Sequence, residues 1–287
     1  MMNTNLEWLQ EIDGSLWLTE NDRNTLKISY KLKEILFSEQ SPYQHVMIVD
    51  SYDFGRMLVL DGVVQTTSLD GHIYNEMITH VPILLHPHPK KVLIIGGGDC
   101  GAAREAAKHP GIEQIDMVEI DELVVKACKQ YLPDVSGNLS DPRVQFIFED
   151  GIEFVKNRQD EYDVVIIDSS DPVGPAEALF THDFYASVEK VLKKDGIIVC
   201  QSQSPLFHQE ILKQTFDHIQ NLFPYAGVYK AVVPTYPGGM WSFTLGSKVY
   251  PIDTNSKQVP NLDTKYFNAE IFQSCFLLPQ QMKNLLK

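Results

Sequence analysis

Two rhythms of apolar and polar positions divide the chain near residue 75. Before that point, short runs alternate or are rich in β-branched residues: Thr25–Glu39 (TLKISYKLKEILFSE), Tyr43–Tyr52 (YQHVMIVDSY), Arg56–Gly62 (RMLVLDG) and Val63–Ser68 (VVQTTS). Turn formers separate them at Ser41-Pro42, Asp53-Phe54-Gly55 and Asp61-Gly62, which predicts a small antiparallel sheet of hairpins. From Ile73 onward helical and strand patterns alternate. The strand candidates are KVLIIGG (Lys91–Gly97), QIDMVEID (Gln114–Asp121), VQFIFED (Val144–Asp150), YDVVIIDS (Tyr162–Ser169) and GIIVCQS (Gly196–Ser202). Apolar runs joined by helical crossovers predict a parallel, doubly wound α/β sheet covered on both faces. The expected domains are residues 1–75, a β domain, and 76–287, an α/β domain. Ligands of such sheets bind at the carboxyl ends of the strands.

Composition narrows the function classes. Of 287 residues, 24 are Lys or Arg and 38 Asp or Glu, a net charge of −14. General nucleic-acid or anionic-membrane binding needs a basic surface, so neither partner is expected, and the balance suits a cationic ligand. The four cysteines (Cys100, Cys128, Cys200, Cys275) are far apart. They form no CxxC pair or zinc spacing, so no metal site is expected and a reducing compartment is the default. The opening MMNTNLEWLQEIDG lacks a basic region followed by an apolar core, and no apolar run approaches the ~20 residues of a membrane span. A soluble, cytoplasmic protein is expected.

The chemistry concentrates at strand ends. GGGDCG follows a strand and opens a helix, the context of a nucleotide-type turn. Glu119 ends the second strand about 20 residues further on, where an acid accepts hydrogen bonds from ribose hydroxyls. Asp150-Gly151 follows the third strand at a position suited to an adenine amino group. A dinucleotide would place its pyrophosphate at the helix terminus, beside Asp99, and repulsion in a partly dry site is costly. A cationic nucleoside, an adenosine carrying a sulfonium, fits the acids better.

The fourth strand runs into DSSDPVGPAEALF, with Asp168 and Asp171 three residues apart before Pro172, Gly174 and Pro175. Paired carboxylates hold an alkylammonium by charge-assisted hydrogen bonds, and one can receive the proton when an amine becomes a nucleophile. A solvated loop with one aspartate capping the next helix is the competing reading. Gln65, Tyr74 and Tyr236 are candidates to line a diamine channel, with Trp241 and Trp17 weaker ones. His86 and His88, in LLHPHPKK, read as a surface turn.

Taken together, LVLDGVVQTT, YNEM, HPKKVLIIGGGD, VEID, DSSDPVGPAEALF and PTYPGG, in this order, resemble the polyamine aminopropyltransferases, and among them the spermidine synthases. The resemblance implies a Rossmann-like, class I methyltransferase-type domain behind a small N-terminal antiparallel β domain, assembled as a homodimer or homotetramer. It implies transfer of the aminopropyl group of decarboxylated S-adenosylmethionine, a co-substrate and not a cofactor, to putrescine, giving spermidine and 5′-methylthioadenosine. Carried across, it assigns nucleoside contacts to Gln44, Asp99, Glu119, Asp150 and Gly151, with Pro175 beside the adenine. It makes Asp168 the proton acceptor, assisted by Tyr74, while Asp171, Tyr74, Gln65 and Tyr236 position the diamine. Three departures stand out: Cys100 where glycine is common, Gly71-His72 where the family has an acid and an aromatic, and Asn75 for a longer nucleoside-contacting His or Gln. Transfer to cadaverine, a longer diamine or spermidine, methyl transfer from intact S-adenosylmethionine, and ligand binding without turnover stay open.

Overall fold

The computed structural model describes residues 6–287 except 138, 173 and 256, and it does not describe the side chains of Gly174 and Pro175. Two compact units divide the chain. One comprises Met1–His72, Gly98–Gly101 and Asp121–Leu139, within the described residues; the other comprises Ile73–Gly97, Ala102–Ile120 and Ser140–Lys287.

The first unit holds a six-stranded antiparallel sheet in sequential order: β1 (Leu9–Ile12), β2 (Ser15–Arg23), β3 (Leu26–Gln40), β4 (His45–Ser51), β5 (Gly55–Leu60) and β6 (Val63–Thr67). The last four coincide with the runs read from the sequence. The β1–β2 hairpin was not singled out there, although Asp13-Gly14, both at positive φ, is a strong two-residue hairpin signal. The 15-residue β3 pairs with β2 along its first half and β4 along its second, with register shifts at Leu32/Glu34 and Ile35/Phe37. Such bulges bend a strand and let one sheet curl. One face packs Leu18, Tyr30, Met47, Val49, Met57 and Val59; the other buries Val46, Ile48 and Leu58 against a helix of the same unit.

The second unit is built on a seven-stranded sheet. Its strands are β7 (Lys91–Gly96), β8 (Gln114–Val118), β9 (Val144–Ile147), β10 (Tyr162–Asp168), β11 (Leu192–Gln201), β12 (Tyr225–Val232) and β13 (Met240–Ser247), in the order β12-β13-β11-β10-β7-β8-β9. Strands β7 to β11 are parallel, as expected. The sheet as a whole is mixed, because β13 runs antiparallel to both β11 and β12. From β7 the chain winds to β8 and β9 on one side and later to β10 and β11 on the other, so β7 and β10 flank the topological switch point where ligands bind in such folds. The helices described, in chain order, are α1 (Gly71–Leu85), α2 (Gly101–Ala107), α3 (Glu122–Tyr131), α4 (Pro133–Ser136), α5 (Gly151–Lys156), α6 (His182–Val191), α7 (Gln209–Leu222), α8 (Ala269–Ser274) and α9 (Gln280–Leu285). In the first unit, α3 lays Val124, Ala127 and Cys128 on the sheet. No helix among the described residues is long and apolar enough to cross a membrane.

Two polar side chains buried in α1, Glu76 and His80, are held by partners remote in sequence. The Glu76 carboxylate accepts backbone N–H groups of Lys265, Tyr266 and Phe267 at 2.8, 2.9 and 2.7 Å. His80, fully buried, places Nε2 3.0 Å from Glu105 and Nδ1 2.9 Å from Nε2 of His109. With the His80 Nε2 hydrogen assigned to the carboxylate, Nδ1 must accept from His109. His86 corrects the expectation of a surface turn: it is 4% exposed, and Nδ1 accepts the backbone N–H of His88 at 3.2 Å. Its Nε2 lies 3.5 Å from Asp195, in a group with Asp163 whose possible ligand atoms lie within 4.8 Å of one another. Lys193 Nζ already sits 2.9 Å from both Asp163 oxygens, and the hydrogen on the His86 ring must be on Nε2, so the group is charge-compensated by lysine.

This polar core makes stability sensitive to acid. Burial pushes the His109 imidazole from 6.5 down to about 3. For Glu105 burial acts upward, but hydrogen bonds from His80 and Lys108 outweigh it and bring the carboxyl from 4.5 down to about 2. Both groups take up protons in the unfolded chain before the folded one, so folding loses stability as pH falls from about 6.5, first through His109 and below about 4.5 through Glu105 as well. The thermal midpoint is expected to fall between pH 7 and pH 5, and to fall less in His109→Gln. Midpoints insensitive to pH in both proteins would contradict this.

Candidate active site

The carboxyl ends of β7, β8 and β10 share one register. Asp168, the last residue of β10, pairs with Gly96 of β7, and Ile95 pairs with Val118, after which comes Glu119. With neighbouring strands about 4.8 Å apart, Glu119 stands about 10 Å from Asp168 along this edge. Asp150 lies three residues beyond the end of β9, as the N-cap of α5: its Oδ1 accepts the Ile152 N–H at 2.8 Å. Gly151 is needed for packing, because a Cβ there would come within 2.5 Å of Ile95 Cγ2.

The glycine turn has an equally local cause. Gly96 and Gly97 both have positive φ (83° and 71°), and the Gly97 N–H donates to the Asp168 carbonyl at 2.8 Å. A Cβ on Gly96 would lie 2.2 Å from that carbonyl oxygen; one on Gly97 would lie 3.1 Å from Asp168 Oδ2. What approaches the backbone most closely here is the end of β10. In the other unit, Asp99 Oδ1 accepts the Gly101 N–H at 2.7 Å at the start of α2. Cys100, fully buried at φ 67°, turns its thiol toward the Gly98 carbonyl at 3.7 Å.

Asp168 meets its partner on α1. Tyr74, 7% exposed, donates its phenolic O–H to Asp168 Oδ1 at 2.7 Å. The Tyr74 ring stands edge-on to Tyr236 at 5.8 Å and tilted against Phe243 at 5.3 Å, and Tyr236 packs on Trp241 at 4.5 Å. Aromatic pairs at these separations hold one another in place. Tyr74, Asp168 and Tyr236, all named from the sequence, thus form one cluster. Asn75, next on α1, is fully buried. Asp171 accepts a hydrogen bond from Gln203 at 2.5 Å, and Gln201 Nε2 donates to the carbonyls of Ser169 and Ser170 at 3.3 and 3.4 Å.

In the first unit Gln44 donates to Asp121 Oδ2 at 3.1 Å, and Ser41 Oγ donates to the same oxygen at 2.7 Å. Asp121 also caps α3 through the Leu123 N–H. Gln65, on β6, donates to the Val63 carbonyl at 3.2 Å. Pro175 belongs to the 3₁₀ turn Gly174–Phe180, but its side chain lies outside the described residues. The sequence reading missed Asp121, Gln201 and Gln203. Asp121 left a signal, an acid directly before a helical run, while the two glutamines left only their place at and just beyond the end of β11.

Residues 71–256 match the family description "Spermine/spermidine synthase domain", and residues 16–68 match "Spermidine synthase tetramerisation domain". The polyamine aminopropyltransferase of Thermoanaerobacter pseudethanolicus is 48% identical over 271 residues, covering 94% of this chain and 98% of the relative. That of Clostridium tetani is 46% identical over 275 residues, covering 94% and 97%. Among solved structures, a spermidine synthase in complex with the transition state analogue AdoDATO superposes with a TM-score of 0.91 at 36% identity, covering 99% of this chain and 98% of the other. The spermidine synthase of Thermotoga maritima gives 0.89 at 36% identity, covering 99% and 97%.

The glycine turn yields a direct test. Gly96→Ala forces a positive-φ alanine against the Asp168 carbonyl, whereas Gly239→Ala, at φ 71° with nothing within 4 Å of the added Cβ, meets only the backbone cost. Gly96→Ala is expected to lose clearly more stability than Gly239→Ala, which should cost about 1–3 kcal/mol. Equal thermal midpoints for the two variants would show that the close approach to β10 carries no weight.

Proposed function

Because the chain belongs to the spermine/spermidine synthase family and is an aminopropyltransferase, we propose that it transfers the aminopropyl group of decarboxylated S-adenosylmethionine to putrescine, releasing spermidine and 5′-methylthioadenosine. The observation that supports this reading most is the Tyr74 hydroxyl on Asp168 Oδ1 at 2.7 Å, at the end of a strand beside the switch point.

The sulfonium is already a good leaving group, so the obstacle lies with the nucleophile. An alkylammonium with a pKa of ~10.4 on the lysine reference holds no lone pair over most of the neutral range. In the proposed step, the attacking ammonium gives its proton to Asp168. The nitrogen lone pair then forms a bond to the methylene carbon attached to sulfur. The carbon–sulfur bond breaks with its electrons going to sulfur, which leaves as a neutral thioether. Tyr74 fixes Asp168 Oδ1 and so the direction of proton transfer. Holding nitrogen, carbon and sulfur in line supplies a further, positional gain. Asp171, Gln65 and Tyr236 are the proposed amine-positioning groups, and Gln44, Asn75, Glu119, Asp150, Gly151 and Pro175 the proposed nucleoside contacts. Asp99 is the proposed selector for a donor tail that carries an ammonium and no carboxylate. The proposed functional division remains 1–75 and 76–287, with no metal and no cofactor. The tetramerisation-domain match supports an oligomer, proposed as a homodimer or homotetramer, in the cytoplasm.

The protein mixed with decarboxylated S-adenosylmethionine and a panel of putrescine, cadaverine and spermidine is expected to give spermidine as the main product by mass; transfer only to the other amines contradicts putrescine as acceptor. Asp168→Asn is expected to lower turnover by about 10²–10⁴-fold, the usual range for a general base, with donor binding retained. Near wild-type turnover would remove Asp168 from its role. Titration calorimetry should show the decarboxylated donor binding more tightly than intact S-adenosylmethionine, and Asp99→Asn narrowing the gap. Equal affinities in the wild-type protein would refute the selector role.

A further inference from the structure

Beyond the acids that the reaction requires, Gln203 stands out by three independent observations. It is 1% exposed, it is a non-glycine residue at φ 69°, and its side-chain nitrogen lies 2.5 Å from Asp171 Oδ1. A left-handed non-glycine residue persists only where its surroundings hold it. Here they do so on each side of the backbone: the Gln203 N–H donates to Gln201 Oε1 at 3.0 Å, and its carbonyl accepts from the Ser242 N–H at 3.0 Å and the Ser242 O–H at 2.7 Å. Ser242 belongs to β13, the antiparallel strand beside β11. Gln201 in turn holds the carbonyls of Ser169 and Ser170. Two glutamines, one at the end of β11 and one just beyond it, therefore hold Ser169, Ser170 and Asp171, and Gln203 is the member that reaches the carboxylate.

We infer that Gln203 is a positioning residue for the acceptor amine: its amide N–H fixes the Asp171 carboxylate in the orientation that receives an alkylammonium, and its neutrality sets no second negative charge against Asp171. An ionised carboxylate only accepts hydrogen bonds, so the atom facing Asp171 must be the amide nitrogen. A glutamate at 203 would keep the contact only while protonated. Once ionised it would set two carboxylates at hydrogen-bond distance, where like charges oppose each other's ionisation. The inference rests on Asp171 being an amine ligand, as proposed above.

The test separates this role from a merely structural one by splitting the kinetic constants. Gln203→Met keeps the length of the side chain and removes the donor. Losing a hydrogen bond to a charged group corresponds to about a tenfold or greater rise in KM for putrescine. The KM for decarboxylated S-adenosylmethionine and kcat are expected to stay within about threefold, which general misfolding would not allow. A putrescine KM unchanged in Gln203→Met, or a parallel loss in both substrates, overturns the inference. Gln203→Glu serves where the methionine variant does not fold: its putrescine KM should approach the wild-type value at the acidic end of the range and depart from it as pH rises. A profile parallel to wild type at every pH also overturns the inference. The wild-type amine panel keeps the two levels apart, since absence of transfer to every amine defeats the functional reading itself, whereas transfer with unmoved variant constants defeats only the role of Gln203.

Discussion

Asp168 is held from two directions at once, and the rest of the site depends on that. Its side chain receives the Tyr74 hydroxyl at 2.7 Å, while its backbone carbonyl receives the Gly97 N–H at 2.8 Å. The first contact ties β10 to α1, the second ties β10 to the turn after β7. Neither tolerates much displacement: Tyr74 is wedged among Tyr236 and Phe243, and the glycine turn has no room for a Cβ. A carboxylate fixed to this degree, in the proposed role of proton acceptor, has little orientational freedom left to lose when an amine arrives, which is the condition for a positional contribution to rate.

The surrounding core supplies the rigidity. α1 is almost wholly buried, and two of its polar residues are compensated by partners remote in sequence: Glu76 by three consecutive backbone N–H groups of residues 265–267, His80 by Glu105 and His109. Buried networks of this kind are costly when incomplete and rigid when satisfied. Behind β10, the apolar cluster of Leu93, Val165, Ile167, Phe184, Tyr185 and Ile198 joins strands and helix into one packed body. The antiparallel pair β12–β13 serves the site as well, through Phe243 against Tyr74 and through Ser242 against the Gln203 carbonyl.

Much of this was legible in the sequence, and what was not has physical reasons. Strands β7 and β10 announce themselves because strands buried on both faces read as unbroken apolar runs. Strands β12 and β13 do not, because Gly227 and Gly246 interrupt them. Those glycines make sense only in the folded chain, where a Cβ would meet Ile252 at 2.7 Å or Phe223 at 2.7 Å. His86 looks like part of a surface turn because two prolines flank His88 and the run, yet Tyr250 and Asp195 lie against it. Tyr74 and Asp168 could be named as a pair from motifs, though 94 residues separate them. Gln203 could not, because its partner Asp171 is 32 residues away and nothing local distinguishes it from any polar residue after a strand. The glycine turn was legible as a place of close approach, and the structure supplies what approaches: Asp168 itself.

In the proposed mechanism Tyr74 acts on the reaction through Asp168. A double-mutant cycle on kcat/KM for putrescine, with Tyr74→Phe, Asp168→Asn and the combination, tests it most directly. If the hydroxyl works by fixing the carboxylate, Tyr74→Phe should slow the wild-type enzyme and change the Asp168→Asn enzyme little. Losses that multiply in the double variant would show two independent roles and contradict the account.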